Sequence, residues 1–181
     1  PATFYGMSSQ CAPAGSADIK ADGGSGPSDG PITLPYNTSA TISWGSVGAT
    51  SCTVTCFPAG GCAGWGGTSG SESTGNLTAG KTYSISCVPV GSDSVQVIVS
   101  PQTFGVTLIK GGQGRITTNS TPVGPALVCG SGCSSATANF EDGTDLTFHP
   151  DTLGQPGKKF VGWGGDCLGT AITDDCEIEN L

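Results

Sequence analysis

The sequence predicts an all-β, disulfide-stapled protein made of two small modules. Short segments rich in β-branched and aromatic residues alternate with turns of Gly, Pro and Asn, as in sandwiches whose strands recur about every 8 to 12 residues. No long segment repeats apolar side chains at the helical period of about 3.6 residues, so almost no helix is expected. Nine cysteines could cross-link the modules, whose size allows only a narrow margin of stability from the core alone.

The predicted strands follow from runs of Val, Ile, Thr and aromatic residues. Residues 41–44 and 95–99 alternate apolar and polar side chains, which is typical of strands with one face in a core. The boundary between the modules is expected near Pro101, so we predict an N-terminal extension at 1–16 and modules at 17–101 and 102–181. The predicted strands are residues 17–21, 40–44, 51–56, 82–88, 94–100, 106–109, 114–118, 136–140, 145–149, 159–163 and 176–178.

The cysteines favour disulfides over zinc. A structural zinc site needs short-spaced thiolates such as C-x-x-C, which this chain never shows. Reducing cytosol does not sustain disulfides, so a secreted, extracellular or cell-surface location is expected. Cys56 and Cys62 are close enough to cross-link their own loop. Because nine is odd, at least one thiol is free or joined elsewhere, and Cys11 is the obvious one.

Charge and hydropathy limit the partners. Only 11 % of the residues are charged and the net charge is −8, so the chain lacks the basic surface that nucleic acids require. No apolar run approaches the roughly 18 residues of a membrane span. The chain begins at Pro1 without a signal peptide or initiator Met, so we expect a processed or trimmed product.

The first half carries Trp, Cys, Trp, Tyr and Cys in a distinctive order. Over about residues 17–100 it resembles the bacterial Ig-like modules of secreted and surface proteins. This resemblance implies a Greek-key sandwich, a disulfide between Cys52 and Cys87, and a connecting or adhesive role. The segments that carry it are DIKA at 18–21, SATISW at 39–44, ATSCT at 49–53, GW at 64–65 and KTYSISC at 81–87.

The second half resembles a different family over about residues 104–181, the divergent bacterial repeats related to internalin B-repeats. The resemblance implies a small β-grasp-like module, used as a stalk or adhesive unit, with disulfides Cys129–Cys133 and Cys167–Cys176. The motifs are VTLIK at 106–110, GQGRIT at 112–117, CGSGC at 129–133, DGTDLT at 142–147, FVGWGGDC at 160–167 and the last cysteine, Cys176.

The second module is expected to lack its closing strand. In that family another alternating strand follows the last cysteine, whereas this chain stops at Leu181. A missing strand leaves unpaired backbone groups and an uncovered apolar groove. We expect the groove to take the N-terminal segment of a neighbouring copy as a donor strand, which gives a head-to-tail filament or pilus. The candidate donor residues are Ala2, Thr3, Phe4, Tyr5 and Met7.

Two alternatives stay open at this point. The chain could instead be a fragment of a longer surface protein that binds a glycan or a host protein through residues 57–65. Cys11 could lock the joint between copies as an intermolecular disulfide, remain a free thiol, or bond to the nearby module.

Candidate modification and metal sites are weaker. Asn37, Asn76 and Asn119 fit the N-x-[ST] glycosylation pattern and fall in predicted turns, although the pattern arises often by chance in a Ser/Thr-rich chain. Scattered aspartates offer oxygen ligands for calcium, but without EF-hand spacing they are usual turn residues. We therefore predict no metal and no cofactor. These aspartates are Asp142, Asp145, Asp166, Asp174 and Asp175.

The remaining candidates are aromatic residues for ligand contact and a histidine for catalysis. Trp65, in a Gly-rich loop, is a candidate exposed contact for a ligand, whereas Trp44 and Trp163 follow apolar strand residues and are expected in cores. His149 is the only histidine and no G-x-S-x-G motif accompanies it. No acidic pair suggests a glycosidase, so we predict no enzyme.

Overall fold

The computed structural model describes residues 15–151, 159–171 and 175–181. Within these residues the regular structure is twelve strands and one turn of 3₁₀ helix, Gly165–Cys167. The predicted all-β, disulfide-stapled class is confirmed. The chain divides into two compact units, Pro1–Ser100 and Pro101–Leu181. None of the described residues forms a helix that is long and apolar enough to cross a membrane.

The first unit is a sandwich of two sheets. One sheet has the order β1-β3-β5 and the other β2-β7-β6-β4. In immunoglobulin sandwiches, strands A, B and E share one sheet and C, F and G the other. Here β1, β3 and β5 share one sheet in the same way, and β4, β6 and β7 lie in the other. The strands are β1 (Ser16–Asp22), β2 (Ile32–Leu34), β3 (Thr41–Val47), β4 (Ser51–Phe57), β5 (Ser69–Ser73), β6 (Lys81–Val88) and β7 (Gly91–Val99).

Strand alternation builds the core of this unit. Along β3, for example, Ile42 and Trp44 are buried, while Thr41 is exposed. Burial of such apolar faces between the sheets is the main stabilising contribution. The Cys52–Cys87 bond joins opposite residues of the neighbouring strands β4 and β6. It therefore lies within one sheet, unlike the disulfide between sheets of antibody domains.

The second unit also has two sheets, with orders β10-β8 and β12-β11-β9. The expectation of a β-grasp-like arrangement stays a prediction. The strands are β8 (Thr103–Ile109), β9 (Arg115–Thr121), β10 (Ser135–Glu141), β11 (Asp145–Asp151) and β12 (Cys176–Ile178). The core is formed by Leu108, Ile116, Leu127, Cys129, Phe140, Leu146, Phe148 and Cys176.

The predicted strand at 159–163 is wrong, because these residues form no strand. Gly162 and Gly165 take positive φ values of 143° and 67°, which lie outside the conformations of a β-strand. The aromatic side chains pack on each other instead, with the rings of Phe160 and Trp163 edge-to-face at 4.8 Å.

Two disulfides lie within each unit: Cys52–Cys87 and Cys56–Cys62 in the first, and Cys129–Cys133 and Cys167–Cys176 in the second. They are the pairs named in the sequence analysis. Several disulfides in small β units indicate an oxidising, extracellular-type environment.

Candidate functional site: an open groove in the second unit

Within the described residues, strand β8 is paired along one edge only. It forms an antiparallel ladder with β10, from Thr103 opposite Glu141 to Ile109 opposite Ser135. No strand among the described residues pairs with the other edge. Exposed edges are normally protected by Lys, Pro, a bulge or a covering loop, and the β8 sequence, TFGVTLI, has neither Lys nor Pro. The free edge is thus a template for another strand.

A cavity of about 640 Å³ runs along β8. Residues 104–109 of β8 line one side, and Ile116 and Phe148 from the other sheet line a second. Residues 159–167 form a third side, which we call the wall segment. No residue of β10 lines the cavity. In the sheet formed by β8 and β10, the open edge that faces the cavity is therefore the edge of β8.

The core-facing side chains of β8 are covered unevenly. Phe104, Val106 and Leu108 alternate along the strand and lie opposite Phe140, Ala138 and Ala136. Leu108 is 7 % exposed, but Phe104 is 37 % exposed. A large aromatic side chain in this position has apolar surface that an added strand would remove from water. The groove is therefore incompletely covered at its Phe104 end.

One end of the groove is polar. The Lys110 ammonium donates a hydrogen bond to the carbonyl oxygen of Gly112 at 2.7 Å. The Arg115 guanidinium pairs with the Asp151 carboxylate at 3.0 Å. Lys110, Arg115 and Asp151 thus place charged groups at this end of the groove.

Strand β4 shows how an edge looks when the chain covers it. The amide of Val54 donates to the carbonyl oxygen of Trp65 at 3.1 Å, and the amide of Gly67 donates to the oxygen of Cys52 at 3.0 Å. The loop around Trp65 thus satisfies backbone groups at the edge of the first unit's larger sheet. Nothing comparable lies along β8 in the described part of the chain.

Trp65 is half-buried, so the expectation of an exposed contact is not supported by its position. Its ring stacks on Trp44 at 6.0 Å and on Tyr83 at 5.7 Å. The two neighbours cover much of the surface that would stack on a sugar. Burial also raises the pKa of the Tyr83 hydroxyl above its ordinary value of 10.0. Trp44 is buried as expected, and Trp163 packs against the core of the second unit.

Two of the three glycosylation sequons lie in turns. Asn37 and Asn76 are exposed, and the amide of Asn37 donates to the carbonyl oxygen of Leu77 at 2.9 Å. The expectation of a turn is wrong for Asn119, which lies within β9. Its side-chain nitrogen is 3.0 Å from Nε2 of His149, because the pairing of β9 with β11 brings the two residues to one face.

The aspartates do not assemble a metal site within the described residues. No group of three or more His, Cys, Asp or Glu side chains there could hold an ion, and Asp174 lies outside these residues. Asp145 accepts a hydrogen bond from the Asn180 amide at 2.9 Å. Asp175 lies 2.6 Å from Nδ1 of His149. No spacing pattern in the sequence links His149 to Asp175, so this contact could not be predicted from it.

The predicted donor residues Ala2, Thr3, Phe4, Tyr5 and Met7, and also Cys11, lie outside the described residues. Neither the known protein-family models nor the curated proteins match this sequence.

Proposed function

We propose that this protein is a structural subunit of an extracellular filament of the pilus type. In this proposal the N-terminal segment of one copy fills the groove of the next. The observation that carries it is the edge of β8, which is unpaired among the described residues and faces a cavity of about 640 Å³ that the apolar side chains of Phe104, Val106 and Leu108 help to line. A strand added there would pair with the free N–H and C=O groups and cover the apolar side chains.

The N-terminal segment has the chemistry that this groove requires. The first charged residue of the chain is Asp18, and burying an unpaired charge in an apolar groove would be costly. Residues 2–7 extended as a strand would span about 20 Å at roughly 3.3 Å per residue. The seven residues of β8 span about 23 Å at the same rise. The segment and the edge thus agree in polarity and in length.

The geometry of the joint implies a polymer. The donor segment and the acceptor groove are different surfaces, so the contact between copies is head-to-tail. Such contacts propagate into a filament unless the rotation between copies closes a ring. The partner in this proposal is another copy of the chain, the role is mechanical rather than catalytic, and the disulfides resist local unfolding under load.

A pair of charge substitutions in the full chain tests this proposal. Side chains of an added strand alternate between faces, so Phe4 and Tyr5 cannot both point into the groove. We therefore propose Phe4→Asp with Tyr5→Asp, which places a charge in the groove in either register. The control is Ser8→Asp with Ser9→Asp, which adds the same charge outside the donor segment.

Electron microscopy and sedimentation then measure assembly. We expect filaments from the wild type and from the serine control, and monomers from the Phe4/Tyr5 variant. The proposal is wrong if the wild type stays monomeric at all concentrations, or if the Phe4/Tyr5 variant assembles as readily as the control.

A binding module is the second candidate, and one observation favours it. Phe57 is 79 % exposed and lines a shallow surface depression with Pro58 and Ile98. Exposed apolar clusters of this kind can mark a protein or ligand contact. This candidate predicts saturable binding to a glycan or host surface by monomeric protein, and Phe57→Ser should abolish it. Retained binding by that variant would exclude this surface.

A further inference from the structure

The wall segment, residues 159–167, is an unusual side for an acceptor groove. All nine of its residues line the cavity, yet none belongs to a strand. Two backbone hydrogen bonds form a local turn at its end, from Leu168 to Gly165 and from Thr170 to Cys167. Three of the nine residues of the wall segment are glycines, namely Gly162, Gly164 and Gly165. Glycine gives such a segment high conformational freedom.

A disulfide fastens this segment to the core. Cys167 ends the wall segment and is bonded to Cys176. Cys176 is fully buried and lies in β12 opposite Phe148 of β11. The bond therefore connects a glycine-rich side of the groove to the central sheet of the unit.

The other disulfides do not take part in the groove. Among the eight cysteines that the structure describes, only Cys167 lines the cavity. Cys52–Cys87 and Cys56–Cys62 lie in the first unit. Cys129–Cys133 closes a short loop next to β9, where Cys129 exchanges backbone hydrogen bonds with Ile116.

We infer that the Cys167–Cys176 disulfide positions the wall segment, so that a subunit accepts a donor strand only after this bond has formed. The inference rests on the proposed function. Without the bond, ordering the wall segment around the donor would add an entropic cost to each binding event. With the bond, part of that cost is met during folding. Cys167 and Cys176 are thus positioning residues for assembly.

The bond between Cys167 and Cys176 would form and break by thiol–disulfide exchange. The thiolate of one cysteine attacks a disulfide oxidant and forms a mixed disulfide with it. The thiolate of the second cysteine then attacks the sulfur of the first, and the oxidant leaves as a dithiol. Two electrons pass to the oxidant, and the two protons lost by the Cys167 and Cys176 thiols are taken up by the oxidant's two sulfurs. A dithiol reductant reverses the reaction. Subunits in a reducing compartment would therefore remain unassembled, and oxidation would make them competent.

The test uses full-length protein with Cys167→Ala and Cys176→Ala. Alanine is chosen because Cys176 is fully buried and a serine hydroxyl there would lack a partner. Two matched controls remove other disulfides: Cys129→Ala with Cys133→Ala in the same unit, and Cys56→Ala with Cys62→Ala in the first unit. Each variant is also made with Phe4→Asp and Tyr5→Asp, so that binding of a synthetic peptide of residues 1–9 can be measured on monomers.

We expect the Cys167/Cys176 variant to bind the peptide at least about tenfold more weakly than either control, because its acceptor is less preorganised. Its critical concentration for assembly should rise by a similar factor. Hydrogen exchange of the β9 and β11 amides, measured on the same samples, should remain as slow as in the Cys129/Cys133 control.

Two results would overturn the inference. One is peptide binding and assembly equal to those of the controls. The other is loss of protection in β9 and β11, which would show general unfolding of the unit in place of a local effect on the wall segment. Failure of the oxidised wild type to assemble or to bind the peptide is distinguishable, because it refutes the proposed function itself.

Discussion

Truncation of Phe104 probes the part of the groove that a donor strand would cover. Phe104 is 37 % exposed, and a fully covered aromatic residue buries about 150–250 Å². A donor strand that completed its burial would remove about 55–90 Å² from water. At about 25 cal/mol per Å² this corresponds to roughly 1.4–2.3 kcal/mol, or a factor of about 10 to 50 in affinity. Phe104→Ala should lose most of this contribution.

The critical concentration for filament growth measures the effect directly. It is obtained from the protein that remains in the supernatant after sedimentation of assembled samples. We expect it to rise by about 10- to 50-fold in Phe104→Ala. Thermal unfolding of the monomer reports separately how much the substitution costs the fold.

The matched control is Phe57→Ala, which removes an aromatic side chain that is 79 % exposed in the first unit. It should leave the critical concentration unchanged. An unchanged critical concentration in Phe104→Ala would refute the argument, because the best-exposed aromatic side chain of the groove would then make no contact with a donor.

Three further predictions concern other parts of the chain. Burial raises the pKa of Tyr83, so the contribution of its neutral hydroxyl to the free energy of unfolding is present below about pH 10 and is lost as the pH rises further. Tyr83→Phe should therefore flatten the fall in denaturation midpoint between pH 8 and 11. An unchanged slope would contradict this. Trp65→Ala should destabilise the first unit by about 2–4 kcal/mol, because Trp65 is half-buried between aromatic neighbours. Filament assembly should remain intact. Loss of filaments from a folded variant would contradict the placement of the joint in the second unit. If Cys11 locks the joint, non-reducing electrophoresis should show covalent oligomers that Cys11→Ser lacks, and monomer alone from the wild type would exclude that bond.

Sequence patterns predicted the strands whose side chains alternate strongly. In β3 and β7 apolar side chains recur at every second residue because one face of the strand is buried, so the local sequence was sufficient to predict these strands. Strand β5 was missed because Ser69–Ser73 is polar and small, and only its pairing with β3 makes it a strand. The strand expected at 159–163 failed for the opposite reason, since its aromatic residues Phe160 and Trp163 pack on each other within a loop.

The candidate site was only partly predictable. The resemblance of the second half led to the expectation of an uncovered groove, but the lining residues depend on how two sheets and a loop come together. The position of Trp65 depends likewise on Trp44 and Tyr83, which are distant in sequence. Asn119 directly follows the predicted strand at 114–118 and precedes turn-like residues, yet it lies in β9, because backbone pairing with β11 outweighs local preference.

The most direct test of the central claim is a high-resolution electron cryo-microscopy map of assembled protein. We predict an extended segment, residues 2–7 of a neighbouring copy, hydrogen-bonded along the free edge of β8 and covering Phe104. A map in which that edge is empty, or is paired with a segment of its own chain, would contradict the account.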